Sequence, residues 1–180
     1  MIDFATVENE GVRVTPFGDR HLTARYVSWL NDPHIVRYSE QRHRTHTLKS
    51  CASYVDGVRA SSTALLLAIE ALRPALGHIG NIGLAFDPHN LTADVSILIG
   101  EREAHGKALA TRAWTAVLRE LLVTHGLRKV TAGTMADNIP MLRVMTRSGM
   151  HIEGRRARQF VLDGREVDLV QGAIFREGLV

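Results

Sequence analysis

The sequence predicts a mixed α/β fold organised as one domain, and three observations support this prediction. Its 180 residues are the size of one ordinary domain, and they contain no repeat, linker or break in composition. Segments with the period-2 alternation of strands repeatedly give way to segments with the period of a helix. One stretch, residues 94–122, combines a buried strand, a glycine-bearing turn and an amphipathic helix. We expect this stretch to organise the rest of the chain.

The turn inside residues 94–122 has the features of an anion site. An aliphatic strand ends at Gly100, a charged loop contains Gly106 and Lys107, and a helical apolar stripe begins near Leu109. The first N–H groups of a helix lack intrahelical partners and lie at the positive end of the helix dipole. We therefore expect a phosphate or pyrophosphate on residues 104–110. The loop matches neither a Walker A nor a Rossmann fingerprint, and similar turns also occur in proteins that bind nothing there.

The elements before this stretch are predicted from their periodicity and end signals. Residues 11–17 alternate like a strand that ends near Pro16, and residues 21–30 form a helix that ends before Pro33. A polar loop covers residues 38–45. Thr47 is the predicted N-cap of a helix that continues to about Arg59. We predict the domain core over residues 11–176, with residues 1–10 as an N-terminal extension.

The remaining segments predict the sheet. Residues 63–69 and 78–86 are strands, and the turn residues 87–90 connect the latter to the strand that ends at Gly100 as an antiparallel hairpin. After the central helix, residues 129–135 form a fifth strand, which a right-handed crossover makes parallel to the fourth. A short helix from Pro140 to Ser148 follows. The chain then closes the sheet with a β-hairpin that turns at Asp163-Gly164.

Composition limits the class of protein. Cys51 is the only cysteine, which excludes an intrachain disulfide and favours a reducing, cytoplasmic compartment. We find no apolar run that would cross a bilayer and no leader sequence. The formal net charge is +3, but basic and acidic residues are interleaved, so we expect neither nucleic acid nor membrane as a partner. The nine histidines are scattered without a metal-binding spacing, and we expect no metal.

Several short motifs occur in a characteristic order. They are Trp29-Leu30-Asn31-Asp32-Pro33, Gly80-Asn81-Ile82, the loop His105-Gly106-Lys107-Ala108, Asn138, and Arg147-Ser148-Gly149-Met150. Together they resemble the GCN5-related N-acetyltransferases (GNATs), within them the RimJ/RimL-like branch. The resemblance implies a single N-acetyltransferase domain over residues 1–180. It implies a mostly antiparallel sheet of about six to seven strands, with the parallel fourth and fifth strands splayed around the cofactor and helices on both faces.

The resemblance also implies acetyl-CoA as the acyl donor and assigns residues to it. Backbone groups near three strand residues would bind the pantetheine arm and polarise the thioester carbonyl: Ile97, Leu98 and Ile99. The diphosphate would lie on the loop amides, with Arg102 just before them: Ala104, His105, Gly106, Lys107, Ala108, Leu109 and Ala110. Asn138 would contact the thiol side of the cofactor.

Three positions depart from the family pattern. The family has Gln or Arg where this chain has Glu103, and Ala108 replaces a commoner second glycine. The tyrosine that acts as general acid in many relatives falls at Met145, and a serine frequent in this branch falls near Met141. Since methionine has no proton to donate, the leaving thiolate has no evident proton donor.

Acyl transfer to an amine requires a neutral amine, an oxyanion stabiliser and a route for a proton. We predict Asp94, at the entry of the fourth strand, as the base and Glu40 as the second candidate. His43 or His46 would relay a proton through water. Glu40, Arg42, His43 and Asn81 form the predicted acceptor site.

The mixed polarity of these residues favours a small amine acceptor such as an amino-sugar nucleotide. A protein N-terminus, as for the ribosomal-protein-alanine acetyltransferases, is the alternative acceptor, and a homodimer is a further expectation. From other classes, a non-catalytic acyl-CoA-binding protein and a basic nucleic-acid binder remain open.

Overall fold

The computed structural model describes residues 3–178, which form one eight-stranded sheet and four α-helices. The strands are β1 (Val7–Asn9), β2 (Val12–Pro16), β3 (Ala64–Ala71), β4 (Gly77–Asp87), β5 (Thr92–Ile99), β6 (Lys129–Met135), β7 (His151–Leu162) and β8 (Arg165–Phe175). The helices are α1 (Ala24–Leu30), α2 (Leu48–Ala60), α3 (Leu109–Arg119) and α4 (Ile139–Arg147). A π-helical turn, Glu120–Thr124, extends α3.

The strands lie in the order β1-β2-β3-β4-β5-β6-β8-β7, and every neighbouring pair is antiparallel except β5 and β6. The mixed, mostly antiparallel sheet is therefore confirmed. The sheet has one strand more than the predicted six to seven, because β1 pairs with β2 through Val7 and Val14. We predicted β1 as part of an extension, since three residues are too short to show alternation. The hairpin turns at Glu10 and Gly11, both with positive φ.

The two parallel strands share only a short stretch of pairing. β5 and β6 are in register from Thr92 opposite Lys129 to Asp94 opposite Thr131, and beyond these residues the two strands no longer pair with each other. The strands thus separate towards their carboxyl ends, as the predicted splay requires. Beyond Asp94 one edge of β5 has no neighbouring strand, and its backbone groups are open to a ligand.

Helices cover both faces of the sheet, as predicted. The apolar stripe of α3 packs on one face, where Leu109, Trp114 and Leu118 are buried. On the other face α1 and α2 bury Trp29 and Val55 among a second apolar group. Because side chains alternate along a strand, the odd-numbered residues of β5 face α3 and the even-numbered ones face α1 and α2.

Capping interactions set the helix starts. The Thr47 hydroxyl accepts a 3.1 Å hydrogen bond from the Ser50 amide, which confirms the predicted start of α2. α1 begins at Ala24 rather than at His21, because a 3-10 turn occupies Asp19–His21 and Thr23 is the N-cap. Within residues 3–178 no helix is long and apolar enough to span a membrane.

Candidate active site

Two cavities meet beside the part of β5 that no longer pairs with β6. The larger one, called the cleft below, has a volume of about 610 Å³ and lies between β5, the loop before α3, and α4. The smaller one, called the pocket, has about 320 Å³ and lies under α1 and α2 on the other face of β5. Three residues line both cavities: Ser39, Ile97 and Leu98. The two cavities are therefore continuous with each other near the carboxyl end of β5.

The loop before α3 presents bare amides to the cleft. Ala108 is the N-cap of α3 and has left-handed backbone angles, φ 59° and ψ 8°, and its side chain makes no capping hydrogen bond. Gly106 has φ +74°, and a Cβ atom built on it would meet nothing within 4 Å. The first N–H groups of α3 are thus free of side-chain partners and adjoin open space. This geometry suits an anion such as a diphosphate.

Side-chain contacts hold this loop in place. The His105 ring nitrogen Nε2 lies 3.0 Å from the carbonyl oxygen of Ile99, which joins the loop to the end of β5. Arg102 pairs with Asp32 at 2.6 Å, and Glu101 pairs with Arg25. All the predicted cofactor residues line the cleft except two, Arg102 and the exposed Lys107.

The wall of the cleft opposite the loop is the helix α4. The Asn138 amide caps this helix by accepting a hydrogen bond from Met141 N at 3.3 Å and donating one to the Thr134 hydroxyl at 3.0 Å. Two basic residues of α4 that we did not predict, Arg143 and Arg147, also line the cleft. Their spacing of four residues places them on one face of the helix, a signal that was readable in the sequence.

The pocket is lined by apolar side chains, such as Leu30 and Leu66, and by a set of polar side chains. The polar ones include Gln41, Thr45, His46, Ser50, Tyr54, Asn81 and Ser96. Among the described residues, Arg44 is the one lysine or arginine in this lining, and no acidic side chain takes part. Asn81 is 6% exposed.

Of the four predicted acceptor residues, Asn81 alone lines the pocket. Glu40, Arg42 and His43 lie outside it, because the 3-10 turn Glu40–His43 presents Gln41 to the pocket instead. The Arg42 guanidinium contacts Glu40 at 2.8 Å and the Ser39 carbonyl oxygen at 2.9 Å. The Glu40 side chain is 65% exposed.

Asn31 holds the segment of residues 44–46, which lines the pocket. The Asn31 side chain accepts a 2.8 Å hydrogen bond from His46 N and donates a 2.8 Å hydrogen bond to His46 O. This reciprocal pair fixes the strand-like segment next to α2. His46 Nε2 is buried and has no hydrogen-bond partner within residues 3–178.

The match to a family model decides the identity of the chain. Residues 12–151, more than three quarters of the sequence, match the model described as the acetyltransferase (GNAT) domain. The protein belongs to the GNAT family of acetyltransferases. No curated protein is significantly similar to it in sequence.

Solved structures share the GNAT fold over nearly the whole chain at low sequence identity. The spermidine N-acetyltransferase from Vibrio cholerae, in complex with CoA and spermine, has a TM-score of 0.82 and 17% identity over 94% of this chain and 98% of that one. RimJ from Mycobacterium smegmatis, in complex with a CoA disulfide, has a TM-score of 0.79 and 21% identity over 93% and 83%. RimL, the ribosomal L7/L12 acetyltransferase, in complex with coenzyme A, has a TM-score of 0.83 and 13% identity over 95% and 98%.

GNAT acetyltransferases use acetyl-CoA, and the cleft of this member fits such a ligand. The amides at the start of α3 suit its diphosphate, and the unpaired edge of β5 suits an arm that carries amide groups. Arg143 and Arg147 add positive charge to the cleft. The carboxylate of Glu103, which the sequence placed where the family has Gln or Arg, does not line the cleft.

Asp94 lies where β5 and β6 begin to separate in this GNAT fold. Its carboxylate accepts a 2.8 Å hydrogen bond from the Thr131 hydroxyl. The residue is exposed by surface area, yet partial desolvation by surrounding protein atoms raises the pKa of its carboxyl, and the bond from Thr131 limits that rise. Asp94 lies on the same face of β5 as Ser96, which lines the pocket, but Asp94 itself lines neither the pocket nor the cleft.

The position of the tyrosine found in many GNAT relatives faces away from the cleft here. Met145 is fully buried, and its methyl group would lie 2.6 Å from a Cβ atom built on Gly172 of β8. Met141 lines the cleft instead. Neither methionine can donate a proton to a leaving thiolate.

Proposed function

We propose that this GNAT protein transfers the acetyl group of acetyl-CoA directly to the primary amine of a small, oxygen-rich acceptor, such as an amino-sugar nucleotide. The observation that carries the proposal is the meeting of the two cavities at Ile97 and Leu98. A donor in the cleft and an amine in the pocket come together there without a covalent enzyme intermediate. Bringing two reactants together in this way lowers the entropic part of the barrier.

The residues of the cleft hold the donor in this proposal. The amides of residues 104–110 bind the diphosphate, and Arg143 and Arg147 bind phosphate from the side of α4. The free edge of β5 at Ile97, Leu98 and Ile99 binds the arm and donates a backbone N–H to the thioester carbonyl. When bound, acetyl-CoA supplies an activated acyl group on a thiolate leaving group. Asn138 acts mainly through the start of α4, because both ends of its amide already have partners.

The lining of the pocket supports a small acceptor that carries oxygen atoms. A volume of about 320 Å³ lies at the lower end of the range of ligand sites. Hydroxyl and amide side chains suit the hydroxyl groups of a sugar, and Arg44 suits a phosphate or carboxylate attached to it. A polyamine would find no carboxylate in the lining formed by residues 3–178, and its charge would remain uncompensated.

Asp94 is our proposed proton acceptor. An ordinary amine is mostly protonated at neutral pH and must lose a proton before it attacks the thioester. The raised pKa of Asp94 and its place on the pocket face of β5 support this role. Glu40, the second candidate from the sequence, is less well placed, because it is exposed and paired with Arg42. As the C–N bond forms and the C–S bond breaks, the attacking nitrogen loses its second proton to solvent, and the departing thiolate takes a proton from solvent.

A screen of acceptors tests the proposal. Thiol release from acetyl-CoA is followed with amino-sugar nucleotides, polyamines and alanine-initiated peptides. We expect release with the amino-sugar nucleotides, and loss of most of it in Arg44→Ala with unchanged acetyl-CoA affinity. Release with the peptides alone would show a protein N-terminal acetyltransferase. Tight acetyl-CoA binding without release for any amine would favour a non-catalytic acyl-CoA-binding protein.

A further inference from the structure

His78, at the start of β4, is enclosed by aromatic rings. The centroid of its imidazole lies 5.0 Å from those of Trp29 and His21, 5.9 Å from that of Phe17 and 6.3 Å from that of Tyr26. Desolvation in this cage lowers the pKa of His78 to about 4. The ring is therefore neutral at neutral pH, with one nitrogen that donates and one that accepts.

Two contacts determine which nitrogen of His78 carries the proton. Nε2 lies 3.1 Å from the carbonyl oxygen of Gly80 and 2.9 Å from Oδ1 of Asn81. A backbone carbonyl can only accept, so Nε2 bears the hydrogen. The side-chain atom of Asn81 that faces it must then also be an acceptor, which assigns that atom as the carbonyl oxygen. The neutral imidazole thus fixes the orientation of the Asn81 amide.

The NH2 group of the Asn81 side chain is available to the pocket. With Oδ1 turned to His78, the NH2 group is left for the cavity that Asn81 lines beside Gly83 and Ser96. Within residues 3–178 this nitrogen has no hydrogen-bond partner. It is also not one of the fully buried polar atoms that lack a partner, so the pocket can reach it. A buried side chain therefore offers two N–H donors to whatever occupies the pocket.

We propose that His78 positions Asn81 as a specificity determinant that selects acceptors with an oxygen atom near the amine and rejects polycationic amines. This inference rests on the proposed function, because it takes the pocket as the acceptor site. The amide donors bind a hydroxyl, carbonyl or phosphate oxygen of the acceptor. An ammonium group placed against the NH2 group of Asn81 meets N–H donors and is repelled. The amide therefore disfavours a cation at this position as well as favouring an oxygen atom.

Binding of two amines to the protein–CoA complex tests the inference. D-Glucosamine and spermidine are titrated by calorimetry into wild type and Asn81→Asp. Asn81→Asp keeps an acceptor for His78 but replaces the donors with a carboxylate. We expect wild type to favour glucosamine, and the ratio of the two affinities to move at least tenfold towards spermidine in the variant. An unchanged ratio, or a wild type that binds neither amine, would overturn the inference.

Variants of His78 separate positioning from simple structural support. His78→Gln retains an N–H donor for Asn81 Oδ1, whereas His78→Leu removes it. We expect glucosamine affinity to fall about tenfold in His78→Leu and to return to within about threefold in His78→Gln, with CoA affinity unchanged in both. Equal losses in the two variants would contradict the positioning role. Turnover is measured alongside: wild type that binds glucosamine selectively but acetylates no amine refutes the proposed function and leaves the selectivity standing.

Discussion

Asp94 and Thr131 form the last pair that β5 and β6 share, and the Thr131 hydroxyl donates a 2.8 Å hydrogen bond to the Asp94 carboxylate. The proposed proton acceptor is thus held at the vertex from which the two strands separate. Replacing Asp94 by Asn preserves the shape and removes the basic group. We expect turnover to fall about a hundredfold or more, the usual range for a lost general base, with acetyl-CoA affinity within about twofold. Full activity of Asp94→Asn would exclude the role.

Thr131→Val tests whether Asp94 sets the pH dependence of activity. The hydrogen bond from Thr131 favours the ionised carboxylate, so its removal raises the pKa of Asp94 further. Because the ionised form accepts the proton, activity is lost as the pH falls through this pKa. The acidic limb of the kcat/KM profile should therefore move to higher pH in Thr131→Val. A limb that stays in place would assign it to another group.

Gly106→Asp should weaken acetyl-CoA binding at least tenfold, or by about 1.4 kcal/mol. The variant places a β-carbon on a backbone with φ +74° and a negative charge beside the amides proposed for the diphosphate. Gly164→Asp is the matched control, because Gly164 has φ +75° and equally open space but lies in the β7–β8 turn. Calorimetry with acetyl-CoA should show the loss in the first variant alone. Equal affinities would count against the loop as the diphosphate site.

Gly100→Ala should destabilise the fold strongly. A Cβ atom on Gly100 would lie 2.0 Å from Cδ2 of Trp29, which is itself buried, so the ring must move. Overpacking of this kind costs about 1 to 3 kcal/mol or more. Gly57→Ala in α2 meets nothing within 4 Å and should instead stabilise by about 0.5 to 1 kcal/mol. Urea unfolding of the two variants checks both signs, and a Gly100→Ala protein as stable as wild type would contradict the tight contact with Trp29.

The neutral ring of His78 should make stability depend on pH. Its pKa is about 4 in the folded chain and about 6.5 when unfolded, so the unfolded chain binds more protons between these values. The free energy of unfolding therefore falls as the pH falls below 6.5. Between pH 7 and pH 5 this ring should account for a loss of about 2 kcal/mol.

His78→Gln isolates this contribution. The variant has no titrating group at position 78, while the other histidines are common to both proteins. Urea unfolding of wild type and His78→Gln at pH 7 and pH 5 should show a smaller loss in the variant. Parallel losses would mean that the folded chain accommodates a charged ring at this position.

The sequence predicted most of the scaffold because its signals are local. The apolar stripe of α3, the Thr47 cap and the turn at Asp163-Gly164 each depend on neighbouring residues, and the structure confirms them. The loop that we predict to hold an anion is also marked by local signals, a glycine before a helix, and the anion itself stays a prediction. β1 escaped prediction because its three residues gain a strand conformation only by pairing with β2.

The acceptor side could not be predicted in the same detail. The predicted acceptor residues are sequence neighbours of the residues that line the pocket. Gln41 and Arg44 line it, whereas Glu40, Arg42 and His43 do not, because the path of the 3-10 turn decides which side chains face the pocket. Arg102 pairs with Asp32, which is 70 residues away in the sequence. Local signals could not show that the Arg102 side chain forms this pair instead of lining the cleft. A homodimer and the identity of the acceptor remain predictions.

In the function that we propose, the shared walls of the two cavities couple the binding of the two substrates. Ser39, Ile97 and Leu98 face both ligands, and Ser39 also starts the turn that carries Gln41. A donor that orders these walls lowers the conformational entropy that is lost when the amine binds afterwards. Each substrate then raises the affinity for the other by the same factor, and the enzyme favours a ternary complex over either binary one.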